Sequence, residues 1–299
     1  MEQRPPVFWE MTGFTPEAFE ELVDQIQDDM IRPRNVRGKF TPEENAQRRP
    51  RACGLSPRNR VLLVMVWIRQ YLTVMSLAEL FGVDKMTVSD DIHHIVPILR
   101  KHLHDQIKWP SEEEMETMMG SWPEFPNAFG AVDATIHPVW KPLVGQAFFY
   151  RGDKHCHFML AQVTVDVTGR IIDTSCGYRG GTNDSAAFGM SRLGQGQLPL
   201  PPQARLLADG GYPARAPLLV PYDKVAANDP LRLAANYYQR RYRAVVERTI
   251  AKVKVFRSAS EKWRHPKAFE PMLFFTVCCL MNLKMDQEIE AWNIFISQI

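Results

Sequence analysis

Residues 157–178, HFMLAQVTVDVTGRIIDTSCGY, restrict the fold more than any other stretch. Two runs rich in Val, Ile and Thr flank Asp166-Val167-Thr168-Gly169-Arg170, a turn with glycine at the strained position, which specifies two strands joined as a hairpin. AFGAVDATIHPVWKP (128–142) precedes it and places Asp133 after a short apolar run, in what should be the first strand. GGTNDSAAFGMS (180–191) follows and opens a helix through Asn183, Asp184 or Ser185 as caps. In RLLADGGYPARAPLLVPYD (205–223) a further strand ends at Asp209, just before a glycine pair. NYYQRRYRAVVERTIAKVKVFRSA (236–259) reads as a helix carrying Glu247. Strand runs followed by helices are the α/β signature.

Upstream the pattern changes. Residues 1–54 hold an acidic helix starting near Thr15-Pro16-Glu17 and then a basic, proline-marked linker; residues 55–120 are wholly helical; the α/β domain is expected over 121–299. Within the helical region, SLAELFGVDKMTVSDDIHHIVPIL (76–99) reads as helix, turn, helix. Leu77, Ala78, Leu80 and Phe81 supply one apolar face and Gly82 the turn, while Val83, Val88, Ile92 and Ile95 supply the buried face of a second helix capped by Asp84. That second helix would offer Lys85, Thr87 and Ser89 to a DNA major groove. Asp90 and Asp91 on the same helix would repel phosphates, and the bland alternative is a small bundle that packs or dimerises.

A chain of 299 residues with 45% hydrophobic content can bury a full core. Its five cysteines contain no Cys-x-x-Cys, so neither a disulfide framework nor a zinc knuckle is suggested, and a reducing compartment fits. Met1 is followed by Glu, Gln and Arg, and the late apolar run at 272–281 is too short to span a bilayer, so no membrane partner is expected. His93-His94 and His155-Cys156-His157 lack a local third ligand and read as structural.

Charge is segregated rather than large. The net value is +2, yet residues 10–30 carry acids and no Lys or Arg, whereas 232–267 carry eleven Lys or Arg against Glu247 and Glu261. Tyr237, Tyr238, Tyr242, Phe256 and Trp263 interleave with those cations, and such a mixture favours a polyphosphate partner. Arg241, Arg248 and Lys252 are expected beside Glu247 as phosphate contacts, with Arg240 and Lys254 pointing elsewhere. Glu247 is an anomaly on so basic a helix. Either it pairs with Arg243 or Arg248 on the surface, or it turns to the sheet rim and joins Asp133 and Asp209. Three hard oxygen ligands from two strand ends and a helix suit Mg2+ or Mn2+, and two such ions can cleave a phosphodiester.

The blocks GAVDATIHPV, VTVDVTGRIIDTSCGYRGGTNDS, LLADGGYPARAPLLVPY and YRAVVERTIAKVKVFRS resemble those of Harbinger-type transposases and transposase-derived nucleases, within the DDE superfamily endonucleases. The resemblance covers roughly 129–283 and extends to the helix-turn-helix in front. It implies an RNase H-like mixed sheet flanked by helices, with Asp133, Asp209 and Glu247 as the catalytic and metal-binding acids. Ala134 stands where the family often has Gly, and Asn183 precedes Asp184 where His is usual, which leaves the role of Asp184 open. The implied activity is metal-dependent cleavage, and possible rejoining, of DNA; the alternative is a domesticated module that binds DNA or protein without cutting. The expected partners are DNA, a Myb-like DNA-binding protein and further copies of the chain, in the nucleus or also the cytoplasm.

Overall fold

The computed structural model describes residues 4–30, 54–152, 154–223 and 229–297. The basic stretch expected after the first helices lies, up to residue 53, outside the described residues. The chain forms two compact units: Met1–His104 with Phe256–Ser258, and Asp105–Val255 with Ala259–Ile299.

The first unit is helical: α1 (Pro5–Thr12), α2 (Pro16–Ile26), α3 (Pro57–Gln70), α4 (Val74–Phe81) and α5 (Lys85–Leu103). Helix α2 starts where the sequence signals it, with the Thr15 side chain accepting from the Ala18 amide and Pro16 in the first turn. Helix α3 is apolar on every side, and Val61–Ile68 are all buried, so it forms the centre of the unit. Between α4 and α5, Gly82 ends one helix in the left-handed conformation (φ 64°) and Asp84 caps the next, accepting from the Met86 amide at 2.7 Å. The helix-turn-helix therefore forms as read.

Two details of that reading change. Leu80 is 48% exposed rather than part of the packed face. Asp91 does not face solvent at all: Arg60 donates to its Oδ1 from Nε (3.0 Å) and Nη2 (2.9 Å), and both residues are buried. Asp91 is therefore withdrawn from any phosphate that meets this helix. Losing either partner of the buried pair would strand a charge, at a cost of about 3–5 kcal/mol.

The second unit contains α6 (Glu112–Met118), β1 (Ala128–Pro138), α7 (Gln146–Phe149), β2 (Tyr150–Arg151), β3 (Cys156–Asp166), β4 (Ile171–Arg179), α8 (Asp184–Met190), β5 (Arg205–Leu207), β6 (Leu218–Leu219), α9 (Pro230–Lys254) and α10 (Glu270–Ser297). Strands β1, β3 and β4 pair antiparallel in the order β1-β3-β4; β5 joins the other edge of β1 in parallel and β6 continues beyond it. The short β2 pairs with the start of β3. This is an RNase H-like mixed sheet flanked by helices. The β3–β4 turn follows the sequence: Asp166 Oδ1 accepts from the amides of Thr168 and Arg170, and Gly169 takes φ 92°.

One sheet face packs a core that includes Met115, Phe129, Val132, Ile172, Phe188, Leu206 and Tyr212. Helices α9 and α10 pack on β1 and β4 with Val245, Val246, Ile250, Leu273, Phe274 and Val277 buried. The stretch Lys267–Glu290 is long and apolar enough to cross a membrane by composition. Leu273, Val277, Cys278 and Leu280 are fully buried within the unit, and that packing explains the composition.

Candidate active site: a carboxylate cleft

One cleft of about 360 Å³ is lined by Asp133, Asp184, Asp209 and Glu247 together with Arg151, Lys154 and Lys254. Each acid arrives by a different local route. Asp133 lies within β1, opposite Val163 on β3, and accepts from the Ala134 amide at 2.8 Å. Asp209 follows the end of β5. There the buried amide of Gln239 on α9 donates to the carbonyls of Ala208 (2.6 Å) and Leu219 (3.3 Å), fixing the chain just before the acid. Asp209 Oδ1 then accepts from the Gly211 amide, so this carboxylate both caps its own turn and faces the cleft.

Asp184 is the acid whose role the sequence left open. Asn183 caps α8 by accepting from the Ala186 amide at 2.8 Å, which leaves Asp184 at the first helical position with its carboxylate free of capping duty. A Cβ built on Gly211 would lie 2.8 Å from Asp184 Oδ2 and 3.0 Å from Asp209 Oδ1, so the two carboxylates meet at that glycine. Three neighbouring cap candidates hid this residue in the sequence; its position just after an Asn that can cap was the usable signal.

Glu247 pairs with Arg243, the first of its two expected alternatives, and it also lines the cleft. Arg243, one turn earlier on α9, donates from Nη2 to Glu247 Oε1 at 2.7 Å and from Nη1 to Asp133 Oδ2 at 3.3 Å. The surface pair exists, and the same guanidinium ties Glu247 to the sheet acid.

Electrostatics reflect the crowding of anions. Burial pushes the Asp133 carboxyl up to about 6; the Ala134 amide and Arg243 oppose the rise, and Asp209 and Glu247 add to it. Burial, and then the charge of Asp209, raises Asp184, with Arg151 acting against them. Burial lowers the Lys254 ammonium, and Asp133 works in the opposite direction. The Tyr212 hydroxyl is buried with no hydrogen-bond partner, and burial followed by the charges of Asp133, Asp184 and Asp209 drives its pKa far upward.

The basic helix needs correcting. Lys254, expected to point elsewhere, lines the cleft, while Arg241, Arg248 and Lys252 are exposed and absent from its walls. Helical geometry gives the reason. At about 100° per residue, seven residues make nearly two full turns, so 240, 247 and 254 share a face, whereas 241, 248 and 252 lie roughly a third of a turn away. In the other unit, Lys85 is exposed and borders a surface cavity with Met75 and Glu79, and Thr87 and Ser89 are half-buried.

Two family comparisons bear on this mixed sheet and on the helix-turn-helix that precedes it in the chain. The description DDE superfamily endonuclease matches residues 132–282, and Helix-turn-helix of DDE superfamily endonuclease matches 53–105. The chain belongs to the DDE superfamily endonucleases. Among curated relatives of this family member, Protein ALP1-like of Arabidopsis thaliana is 25% identical over 259 residues, 78% of this chain. The match spans 62% of that relative's length. No solved structure matches.

Nucleases of this superfamily use divalent metals. Among the described residues, no group of three or more acidic, His or Cys side chains is placed so as to hold one ion. The donor set nevertheless fits a hard cation: all four acids offer oxygen, and the Arg243 guanidinium stands as a positive charge between Asp133 and Glu247. Asp133, Asp209 and Glu247, with Asp184 beside them, are the residues that would hold it.

Proposed function

We propose that this endonuclease-family chain is a Harbinger-type DDE nuclease or transposase that hydrolyses DNA phosphodiesters and, when fully competent, joins the freed 3′ hydroxyl to target DNA. The observation that carries this reading is the convergence of Asp133, Asp209 and Glu247 on one cleft whose remaining walls include Arg151, Lys154 and Lys254. Mg2+ or Mn2+, two ions in the full site, would activate the attacking hydroxyl and stabilise the leaving oxygen.

The protein's own residues do the rest by placement and charge. Asp133, Asp209 and Glu247 would hold the metal ions at the sheet rim. Arg151, Lys154 and Lys254 seat the scissile phosphate against those acids. Lys85, Thr87 and Ser89 read or hold duplex DNA, and Arg241, Arg248 and Lys252 track phosphates along the outer stripe of α9. DNA, a Myb-like DNA-binding protein and other copies of the chain are the partners, and the nucleus is the compartment. A second reading, a module that binds DNA without cutting, draws support from Arg243, which already neutralises Asp133 and Glu247.

Asp133→Asn, Asp209→Asn and Glu247→Gln keep side-chain shape and remove a charge. Each is expected to abolish Mg2+- or Mn2+-dependent cleavage of terminal-repeat DNA while leaving the circular-dichroism spectrum unchanged. Cleavage retained in one variant removes that residue from the site. Absence of divalent-ion binding to the wild type by calorimetry, with DNA present, transfers the conclusion to the binding module.

A further inference from the structure

Between β1 and β2 the chain leaves the sheet in a loop whose tip is built from apolar side chains. Leu143 is 98% exposed and Val144 86%, with Trp140 (59%) and Phe148 (55%) behind them. Exposed apolar clusters of this kind mark a surface made to be covered. The loop is held in shape. Gly145 turns the tip in the left-handed conformation (φ 68°), the Phe148 amide bonds to the Gly145 carbonyl at 3.1 Å, and Pro142 is buried.

Its base is fastened to the segment that runs on to Asp184. The Gly181 amide donates to the Phe148 carbonyl at 3.1 Å. A Cβ on Gly180 would lie 2.3 Å from the Phe158 carbonyl oxygen and 2.6 Å from that of Phe149, so only glycine lets these backbones approach so closely. That contact sits in the connection leading to Asp184. At the loop's far end Arg151 and then Lys154 line the carboxylate cleft itself.

The surroundings are cationic. Lys262 Nζ lies 3.8 Å from the centre of the Trp140 ring, and the Arg179 guanidinium 4.3 Å from that of Phe148. Residues 139–152 carry Lys141 and Arg151 and no acid, and 259–268 carry Lys262, Arg264 and Lys267 against Glu261. An apolar partner alone would not call for such a rim. A polyanion that also exposes flat apolar surface would, and DNA with a parted base step has both properties.

We propose that residues 140–148 form a wedge, with Leu143 and Val144 entering between base pairs beside the scissile phosphate and Trp140 and Phe148 supporting the unstacked bases. This rests on the DNA-cleaving reading and specifies its substrate: a duplex opened at the cut. Apolar side chains inserted at a base step must unstack it, a cost that a mismatch or bulge removes in advance.

The test uses the full chain in chelator, so no cleavage intervenes, and compares affinity for a fully paired duplex with that for the same duplex carrying a two-nucleotide bulge. Wild type is expected to bind the bulged DNA about tenfold tighter. Leu143→Ser/Val144→Ser is expected to bring that ratio to near one, with paired-duplex affinity within about twofold. These exposed positions carry no fold, and light scattering on the same samples reports assembly. A ratio near one in wild type, or a ratio unchanged in the double variant, overturns the wedge while leaving the DNA reading intact. A double variant that falls apart into smaller species at unchanged ratio makes the tip an interface between copies instead. Wild type that binds neither duplex removes the DNA reading, and the wedge with it.

Discussion

Asp133 carries the clearest electrostatic penalty in the cleft, and it makes the site costly to keep folded. Its carboxyl shifts from an ordinary 3.8 to about 6 on folding. Between those values the folded state binds more protons than the unfolded one, so this group's contribution makes stability fall as pH rises from about 4 to 6. Above that window the full penalty of roughly 3 kcal/mol stands; below it the penalty is absent. In chelator, Asp133→Asn should therefore melt higher than wild type at pH 8 and level with it near pH 4. Equal melting temperatures at both pH values would mean that water already solvates the carboxylate. Arg243 supplies a second case. Its guanidinium occupies the gap between Asp133 and Glu247, so Arg243→Gln removes a competitor for any cation there. Mn2+ binding followed by electron paramagnetic resonance should tighten roughly five- to tenfold. Weaker binding would show that the arginine orients the acids rather than competing. Asp133 and Asp209 were legible because each follows an apolar run that ends in a polar turn or strand, and Glu247 because a lone acid on a basic helix demands a reason. Asp184 was not, since a helix start with three possible caps does not say which side chain is left over.

Helix α9 is the element where sequence and structure diverge most. Its existence followed from periodicity, yet the choice of face depended on phase, and an error of one third of a turn exchanges which cations meet the acids. Lys254 shares the cleft with Glu247, so Lys254→Ala should depress the cleavage rate with little change in duplex affinity. Arg241, Arg248 and Lys252 form their own exposed stripe. Each alanine variant there should lower the slope of log affinity against log salt by about 0.9, equally on unrelated sequences. An unchanged slope for all three would leave that stripe merely solvated. In the helix-turn-helix, caps and turn were readable from Gly82 and Asp84 because they act locally. The burial of Asp91 was not, because Arg60 lies 31 positions away and no short-range pattern announces a long-range ion pair. Lys85→Ala, Thr87→Ala and Ser89→Ala should each weaken duplex binding in a mobility-shift titration, and unaltered affinity would reduce this helix to packing.

At the scale of the molecule, the switch from helical to strand periodicity falls at residues 120–121 of the sequence, whereas the compact units divide at His104/Asp105, which puts α6 with the sheet. The sequence could not show that the chain returns to the first unit after α9. Phe256 is 1% exposed there, with Arg69 5.3 Å from its ring centre and Gly13 against its edge. Phe256→Ala should cost the helical unit about 3–5 kcal/mol, seen as an earlier calorimetric transition while the sheet unit melts as before. A single transition moving as a whole would show instead that the units unfold together. The order of elements along the chain has another outcome. Strand β5 enters beside β1 only once residues 205–207 have been made, and Glu247 arrives on a helix that ends at 254. Proteins emerge from the ribosome amino end first. A chain halted before residue 205 thus contains the helix-turn-helix sequence but lacks Asp209 and Glu247, so the cleft acids come together only when synthesis is nearly finished.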